Sequence, residues 1–269
     1  MLLNVKVSLI VTTYNWPEAL DAVLRSVASQ EVPPDEVLIA DDGSSSETAA
    51  VVSRWGAMVH FPIRHVWQED HGFQAAKIRN KAAAMATGDY LIFLDGDCLL
   101  RPGFVRRHIK FAEPGHFVAG NRVLLSRDFT LLSLEQGVPV EQWSTGRFRH
   151  DQIQRSWPLR TWPLGPLRKA FPRQWRGVKT CNLAVWKKDL VAVNGLDESF
   201  VGWGYEDSEL VIRLLRQGVK RINGRFALTV LHLWHNAQDR SQERSNYLKL
   251  QEVINSNKRL AVSGIDQYL

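Results

Sequence analysis

The stretch Tyr90-Leu-Ile-Phe-Leu-Asp95-Gly-Asp97-Cys98 places five apolar or aromatic residues directly before two aspartates that are separated by one glycine. The apolar run has no helical period and is too short to cross a membrane, so it predicts a buried strand of a parallel sheet. Open α/β sheets bind their ligands at the carboxyl ends of the strands. Two carboxylates at that edge can hold a divalent cation together with phosphate oxygens. A solvent-exposed Asp-Gly turn is the alternative interpretation at this point.

Three similar units precede this stretch in the chain. Residues 5–13, 36–40 and 63–68 are short, β-branched runs that predict strands, and each is followed by apolar residues at helical spacing. Alternating strands and helices predict an α/β fold with a parallel sheet and right-handed crossovers. The polar residues 12–15 and 41–44, which follow the first two strands, would then lie at the same sheet edge as the two aspartates.

The second half of the chain carries fewer periodic segments. Residues 117–124 and 229–234 predict strands, and residues 102–111, 208–217 and 242–260 predict helices. The last of these helices is amphipathic and of mixed charge. With 269 residues and no internal repeat, the chain predicts one large domain, or one domain with a subdomain.

Composition limits the compartment and the partners. The formal net charge of +6 and the pI of about 9.4 predict an anionic partner: nucleotide phosphate, nucleic acid or an acidic membrane surface. The only cysteines, Cys98 and Cys181, are far apart in sequence, which favours a reducing, cytoplasmic compartment. Residues 1–11 lack the features of a signal peptide and predict a strand. No apolar run reaches the ~20 residues that a membrane span requires.

Residues 141–179, the basic segment, combine four tryptophans with many arginines and lysines and contain almost no acidic residue. The weak periodicity predicts irregular structure or short helices. Four interpretations stay open: a lid over the site, a plug of the core below, a site for an anionic sugar or phosphate, and a docking surface for anionic lipid. Nucleic-acid binding is not predicted, because no recognition motif accompanies the charge.

Five motifs, in this order, resemble those of the inverting family 2 glycosyltransferases of GT-A fold. They are Thr-Thr-Tyr-Asn at 12–15, Asp-Asp-Gly-Ser at 41–44, Arg-Asn at 79–80, Asp-Gly-Asp at 95–97 and Gly-Trp-Gly-Tyr-Glu-Asp at 202–207. The last motif is similar to the acceptor side of β-galactosyltransferases and chondroitin polymerases. The resemblance spans residues 5–236, with residues 130–177 unmatched.

The resemblance implies a GT-A fold, an α/β architecture with a single Rossmann-like, mostly parallel sheet flanked by helices and a C-terminal acceptor-binding subdomain. We expect one continuous domain in three parts. Residues 1–125 would bind the nucleotide sugar, residues 126–179 would form a basic, tryptophan-rich insertion or lid, and residues 180–269 would bind the acceptor and carry the catalytic base. An enzyme that acts on lipid-linked glycans would also contact the cytoplasmic face of the inner membrane peripherally.

The resemblance also assigns the donor side of the site. Asp95 and Asp97 would hold Mn²⁺ or Mg²⁺ against the diphosphate of a nucleotide sugar, where the ion stabilises the leaving group. His232 is the expected third ligand and His235 the alternative. For either residue, a histidine that forms hydrogen bonds but binds no metal is an equally weighted interpretation. A guanidinium such as that of Arg79 suits a base or a diphosphate, with a solvated helix face as the alternative. The expected donor-binding residues are Thr12, Tyr14, Asp42, Arg79, Asp95 and Asn182.

By the same resemblance, Asp207 is the general base that takes the proton of the acceptor hydroxyl, and Glu206 orients the acceptor. Trp203, between two glycines, would stack on a sugar ring of the acceptor. Helix capping is the alternative for the two acids, but it does not explain the tryptophan. One base opposite the leaving diphosphate implies a single displacement with inversion. Tyr205 and Ser208 depart from the galactosyltransferase pattern, which often has glycine and an acid there, so the sugar is not predicted.

The predicted function is metal-dependent transfer of a sugar from a nucleotide diphosphate donor, UDP-sugar by default, to a hydroxyl of a glycan or lipid-linked glycan. Synthesis of a bacterial surface polysaccharide or lipopolysaccharide is the expected context. A nucleotidyltransferase that makes the nucleotide sugar is one alternative, but such enzymes usually carry a glycine-rich basic loop after the first strand. A non-catalytic glycan- or lipid-binding module of the same fold is the other. The acids Asp95, Asp97, Glu206 and Asp207 are all present, which disfavours it.

Overall fold

The first half of the protein alternates strands and helices, as the sequence predicts. The computed structural model describes residues 5–269, so residues 1–4 of the predicted first strand lie outside the described residues. The first elements are β1 (Val7–Thr13), α1 (Pro17–Ala28), β2 (Glu36–Asp41), α2 (Ser46–Met58), β3 (Ile63–Trp67), α3 (Ala75–Met85) and β4 (Tyr90–Asp95). Strands β1, β2 and β4 are buried on both faces, which explains why their sequences are continuous apolar runs.

The second half has shorter elements. They are β5 (Cys98–Leu100), α4 (Phe104–Phe111), β6 (His116–Ala119), β7 (Asn121–Leu124), α5 (Arg127–Glu135), β8 (Asn182–Trp186), α6 (Lys187–Ala192), α7 (Glu206–Arg216), β9 (Lys220–Asn223), β10 (Thr229–His232) and α8 (Glu243–Asn255). The basic segment forms short 3₁₀ turns, in agreement with its weak periodicity. The last predicted helix, 242–260, ends earlier than expected, at Asn255.

The strands form two sheets. The larger sheet has the order β3-β2-β1-β4-β8-β6-β9 and is parallel except for β8, as expected for the predicted α/β class. Because β8 is antiparallel to β4, its first residue, Asn182, pairs with Leu94 at the carboxyl end of β4. A second sheet in the order β5-β10-β7 was not predicted. Its strands β5 and β7 directly follow β4 and β6, so it lies beyond the carboxyl ends of those strands.

The single strand predicted over 117–124 is wrong, because the chain changes sheets in the middle of this segment. β6 pairs with β8 and β9, whereas β7 pairs with β10. The change occurs at Gly120, whose backbone N–H donates to the carbonyl of Asn182 at 2.9 Å. A Cβ atom on Gly120 would lie 2.3 Å from the Asn182 side chain, so only glycine fits this close approach.

The basic segment contributes to the core and also exposes aromatic rings. Trp143 packs against Phe129 and Phe148, with ring centroids 5.3 and 5.7 Å away, so it fills the core as one of the interpretations holds. Trp157 and Trp162 remain 46% and 62% exposed. No helix within residues 5–269 has both the length and the apolar character needed to cross a bilayer.

Candidate active site

Residues of the predicted donor side converge at the carboxyl edge of the large sheet. Strand register places Thr12 beside Asp95, and Thr13 beside Asp41. These positions are neighbours because β1 lies between β2 and β4, with all three strands parallel. The carboxyl ends of the three strands therefore bring the first, second and fourth motifs together, where open α/β sheets bind ligands.

Arg79 connects this edge to the start of α7. The side chain is 4% exposed, and its Nε donates to Thr12 Oγ1 at 3.0 Å. Its Nη2 donates to Asp95 Oδ1 at 2.9 Å, and its Nη1 donates to Glu206 Oε1 at 3.3 Å. Although burial disfavours the charge, the carboxylates of Asp95, Glu206 and Asp207 raise the pKa of Arg79. The third motif thus joins the two predicted halves of the site and is not on a solvated helix face.

A potential metal site lies beside this network. Asp97 Oδ2 is 3.4 Å from His232 Nε2 and 3.3 Å from His235 Nε2. One ligand atom from each of the three residues lies within 4.8 Å of the others. Burial lowers the pKa of His232, which favours the neutral imidazole that binds metals. The structure therefore brings both candidate histidines to Asp97, whereas Oδ1 of Asp95 accepts a hydrogen bond from Arg79.

The chemistry of this donor set fits a divalent transition metal. Two imidazole nitrogens disfavour Mg²⁺, which prefers an octahedron of oxygen ligands. One carboxylate and two imidazoles leave coordination positions for phosphate oxygens and water, so the residues present fit the implied Mn²⁺ better than Mg²⁺. Asp95 is outside this three-residue group among the described residues, and its predicted role as a ligand remains a prediction.

The predicted catalytic acids begin helix α7. Burial, followed by the charge of Asp207, raises the pKa of Glu206 to about 7. Burial also raises the pKa of Asp207, and the positive charge of Lys179 opposes this effect. Ser208 donates to Asp207 Oδ1 at 3.3 Å. A carboxylate whose pKa is raised by its surroundings is a better proton acceptor near neutral pH than an ordinary aspartate, so the environment of Asp207 suits a general base.

The turn before α7 has unusual backbone geometry. Tyr205 occupies a position where the similar family often has glycine. Its backbone φ is +73°, a conformation that residues other than glycine rarely adopt. Its ring packs against Tyr247 of α8, with centroids 5.5 Å apart. The guanidinium of Arg240 lies 4.6 Å from the centroid of the Trp203 indole. One face of Trp203, the predicted sugar-stacking residue, is therefore covered by a cation.

The remaining donor-side residues differ in how far they are exposed. Asp42 is buried, and its two carboxylate oxygens accept from the Gln68 side chain at 2.6 Å and the Gln74 backbone at 2.7 Å. Tyr14 is 52% exposed, and its hydroxyl donates to Asp70 at 2.8 Å. Asp42 thus lies below the surface with both carboxylate oxygens hydrogen-bonded, whereas Tyr14 is accessible, and contact of either residue with a nucleotide remains a prediction.

Asn182, predicted to contact the donor, has a different environment. It is 1% exposed, and its side-chain nitrogen donates to the carbonyls of Asn121 and Leu228 at 3.1 and 2.7 Å. These contacts connect β8 to the ends of the small sheet. The geometry assigns Asn182 to holding the two sheets together, and contact with a donor sugar remains a prediction.

Sequence reasoning gave no individual role to three cations near the site. They are Arg122 in β7, Lys179 before β8, and Arg240 over Trp203. Although burial disfavours the charge of Arg122, the thiols of Cys181 and Cys98 and the nearby aspartates raise its pKa. A charged residue within a short predicted strand was the available signal for Arg122. The other two lie in segments without periodicity.

Two sequence profiles match successive parts of the chain. The profile described as "Glycosyl transferase family 2" matches residues 8–170, which is more than half of the chain. The profile described as "N-terminal domain of galactosyltransferase" matches residues 168–235. The second match includes the turn around Trp203, the start of α7 and both histidines of the potential metal site.

Curated relatives cover most of this chain. The validoxylamine A glucosyltransferase of Streptomyces hygroscopicus subsp. limoneus is 32% identical over 225 residues, which are 79% of this chain and 48% of the relative. The hyaluronan synthase of Pasteurella multocida is 29% identical, over 83% of this chain and 24% of the synthase. The chondroitin synthase of Escherichia coli is 28% identical, over 78% of this chain and 32% of the synthase. This chain thus spans about half or less of the length of these relatives.

Two solved structures share the fold. The mannosyltransferase PcManGT from Pyrobaculum calidifontis, in complex with GDP-Man and Mn²⁺, has a TM-score of 0.59 at 20% identity, over 85% of this chain and 56% of that chain. S. aureus TarS 1–349 in complex with UDP has a TM-score of 0.63 at 16% identity, over 98% and 68%. At these identities the likeness concerns the fold alone, and it confirms the predicted GT-A architecture.

Proposed function

This protein belongs to glycosyl transferase family 2, and on that premise we propose that it is a metal-dependent, inverting glycosyltransferase. It would move a sugar from a nucleotide diphosphate, UDP by preference, to a hydroxyl of a glycan acceptor. The names of the hyaluronan and chondroitin synthases support a glycan as acceptor. The similar validoxylamine A glucosyltransferase adds a small molecule as a second acceptor class to test.

The observation that carries this proposal is the double contact of Arg79. Its guanidinium joins Asp95 of the donor edge to Glu206 at the start of α7, at 2.9 and 3.3 Å. Glu206 is the direct neighbour of Asp207, and both acids are close enough for their charges to interact. The donor edge and the proposed base therefore lie close together, as transfer between two bound substrates requires.

Each group of site residues has its own role in the proposed reaction. Asp97, His232 and His235 would hold the ion, which when bound stabilises the charge that develops on the leaving diphosphate. Asp207 would accept the proton of the acceptor hydroxyl at a carboxylate oxygen. Arg79 fixes the orientation of Asp95 and Glu206 by its planar fork. With the base and the leaving group on opposite sides of the sugar, one displacement inverts the anomeric carbon.

Family membership favours sugar transfer over both alternative functions. A nucleotidyltransferase is not supported, because the matching profile and the curated relatives are those of glycosyltransferases. A non-catalytic module is disfavoured because Asp207 keeps an environment that raises its pKa, which binding alone does not require. Bacterial surface glycan synthesis in the cytoplasm, with peripheral contact at the inner membrane, remains the expected context.

The test is a transfer assay with nucleotide sugars, Mn²⁺ and glycan acceptors, in which Asp207→Asn is compared with the unaltered protein. We expect the variant to lose about 10²–10⁴-fold in kcat, because the base is gone. The donor-induced rise in melting temperature should persist, because Asp207 is not assigned to donor binding. Asp128→Asn, an exposed aspartate in the first turn of α5, is the matched control. An unchanged kcat in Asp207→Asn, or a product with retained anomeric configuration, would contradict the proposal.

A further inference from the structure

A basic cavity lies next to the proposed active site. It has a volume of about 190 Å³ and is lined by residues of β7, β9 and the chain before β8. Four of its lining residues are cations, Arg122, Lys179, Arg221 and Arg225, and no aspartate or glutamate lines it. One water molecule occupies about 30 Å³ of liquid volume, so the cavity has room for a group the size of a phosphate or a carboxylate.

Within the described chain, the charges of Arg122 and Lys179 reach the aspartates of the site, whereas Arg221 and Arg225 have no acidic partner. None of them forms a salt bridge with a carboxylate among residues 5–269. Arg221 donates from Nη1 to the carbonyls of Gln174 and Arg176, while its Nε is buried without a partner. Arg221 and Arg225 line the same cavity, and burial and then the charge of Arg225 lower the pKa of Arg221. Two like charges that line one cavity, one of them partly buried, destabilise the folded protein unless an anion compensates them.

The cavity is connected to the reaction centre by two of its cations. Lys179 is close enough to Asp207 for its charge to lower the pKa of the base. Arg122 interacts with Asp95 and Asp97, the aspartates of the donor edge. Arg221 and Arg225 lie on the opposite side of the cavity lining, on β9 and just after it. The cavity therefore extends from the surroundings of these acids toward β9, and its β9 end is the part without a carboxylate nearby.

We propose that this cavity binds a phosphate or carboxylate group carried by the acceptor, so that the substrate of this enzyme is an anionic glycan. This assignment depends on the proposed function, because the acceptor is placed on this side of the cleft by the proposed role of Asp207 as the general base. A guanidinium donates to either oxyanion through its N–H groups, which is the chemistry that the fork of Arg225 and the Nη2 group of Arg221 offer. The diphosphate of the donor has a separate place at Asp97 and the two histidines.

The experiment compares the double variant Arg221→Gln/Arg225→Gln with the control Arg155→Gln/Arg160→Gln. The control removes the same charge from two exposed arginines of the basic segment. The first readout is the melting temperature with inorganic phosphate, glucuronate or glucose added, each without donor. We expect phosphate, glucuronate or both to stabilise the unaltered protein and the control but not the double variant, and glucose to have no effect.

The second readout is steady-state transfer to phosphorylated, carboxylated and neutral acceptors. We expect KM for the preferred anionic acceptor to rise about ten- to a hundredfold in the double variant, as loss of charged hydrogen bonds predicts. Donor KM and the hydrolysis of donor without acceptor should not change. The anion that both readouts favour, phosphate or carboxylate, identifies the acceptor chemistry. Should the double variant fold poorly, Arg225→Glu at the exposed position replaces it and should give the same loss.

Three results would overturn the assignment. One is equal transfer to neutral and anionic acceptors by all proteins, and another is an increase in donor KM in place of acceptor KM. The third is stabilisation by phosphate that the double variant retains. Failure of the proposed function would look different: no nucleotide sugar would be turned over, while phosphate would still stabilise the unaltered protein and not the double variant.

Discussion

The two sides of the proposed cleft are built on different principles. On the donor side, the ends of β1, β2 and β4, several carboxylates have partners within the chain: Asp95 accepts from Arg79 at 2.9 Å, and Asp41 Oδ2 lies 2.7 Å from His65 Nε2. On the acceptor side, which comprises β7, β9, residues 177–182 and the start of α7, two cations of the basic cavity, Arg221 and Arg225, have no acidic partner within the described chain. The donor side thus pairs its carboxylates within the chain except at the potential metal site of Asp97, whereas the acceptor side leaves two cations for an anion from outside.

The means of support also differ. Strands β1, β2 and β4 are held by apolar residues packed on both faces. Helix α7 also packs the apolar residues Leu210, Val211 and Leu214 and in addition carries a fully buried ion pair within the helix, in which Arg213 donates to Glu209 at 2.6 and 2.7 Å. Arg213 donates further to the carbonyl of Val193, which connects α7 to the end of α6. Loss of either partner of the pair would leave a buried, uncompensated charge, so the helix that carries the proposed base depends on this pair as well as on apolar packing.

The largest effect expected on the donor side comes from Asp97→Ala. Loss of this carboxylate removes the only acid of the three-residue group that could hold the ion among residues 5–269. Metal stabilisation of a leaving group contributes several kcal/mol. We therefore expect transfer to fall by about a hundredfold or more, because each 1.36 kcal/mol is a factor of ten. The measurement is kcat/KM for the donor over a series of Mn²⁺ concentrations.

His232→Ala and His235→Ala refine this prediction. Since both imidazoles lie within 3.4 Å of Asp97, we expect each variant to need more Mn²⁺ for the same rate. Asp70→Asn, at an exposed rim position, serves as the control and should not change the Mn²⁺ requirement. If Asp97→Ala keeps its rate when chelator is present, the metal role of the donor side is wrong.

The contrast between the two sides also decides what could be predicted from sequence. Strands β1 and β2 are each followed by their own helix, so local periodicity shows both elements, and the motif at 95–97 directly continues β4. The predicted convergence of Thr12, Asp42 and Asp95 at one edge follows from that order alone. The second sheet could not be predicted, because β5, β7 and β10 have three or four residues each and pair across long sequence separations.

Individual contacts of the site show the same limit. The helical position of Arg79 was predictable, but its bridge between Asp95 and Glu206, which is 127 residues away, was not. The carboxylate of Asp97 was assigned to a metal from its motif, whereas the choice between His232 and His235 needed the fold, which places both beside it. Coverage of Trp203 by Arg240 depends on a loop without periodicity.

The junction of the two sides is tested by Gly120→Ala. A Cβ atom there would lie 2.3 Å from the Asn182 side chain, so either Asn182 or the β6–β7 turn must move. We expect the free energy of unfolding to fall by about 1–3 kcal/mol, the usual cost of overpacking. Gly56→Ala within α2 is the matched control, since no atom lies within 4 Å of its added Cβ. That change should stabilise the protein by about 0.5–1 kcal/mol, because alanine favours a helix over glycine.

Urea unfolding of both variants measures the difference. Equal stability of Gly120→Ala and the unaltered protein would mean that Asn182 can leave its carbonyl partners without cost. In that case the close approach at Gly120 does not fix the acceptor side to the donor side, and the comparison between them would need another connection.

The smallest expected effect is the pH dependence of kcat, which the acceptor side determines through the protonation of Asp207. Asp207 must be unprotonated to accept a proton, and burial raises its pKa above the ordinary value of 3.8. We expect kcat at saturating substrates to fall about tenfold per pH unit below this raised pKa, so that the acidic limb lies above pH 3.8. Protonation of His232 also lowers the rate, but that limb moves when Mn²⁺ is increased tenfold, whereas the limb of the interacting pair Glu206 and Asp207 does not.

The variant Lys179→Gln tests the direction in which the acidic limb of the pH profile moves. The charge of Lys179 lowers the pKa of Asp207, so its removal should move the Mn²⁺-independent limb to higher pH. Asp207 then needs a higher pH to act, while the donor-induced rise in melting temperature stays the same, because Lys179 belongs to the acceptor side. A limb that moves to lower pH, or stays in place, would mean that the base is a different group. Asp207 would then have no catalytic role, and the acceptor side of the cleft would have to be assigned again.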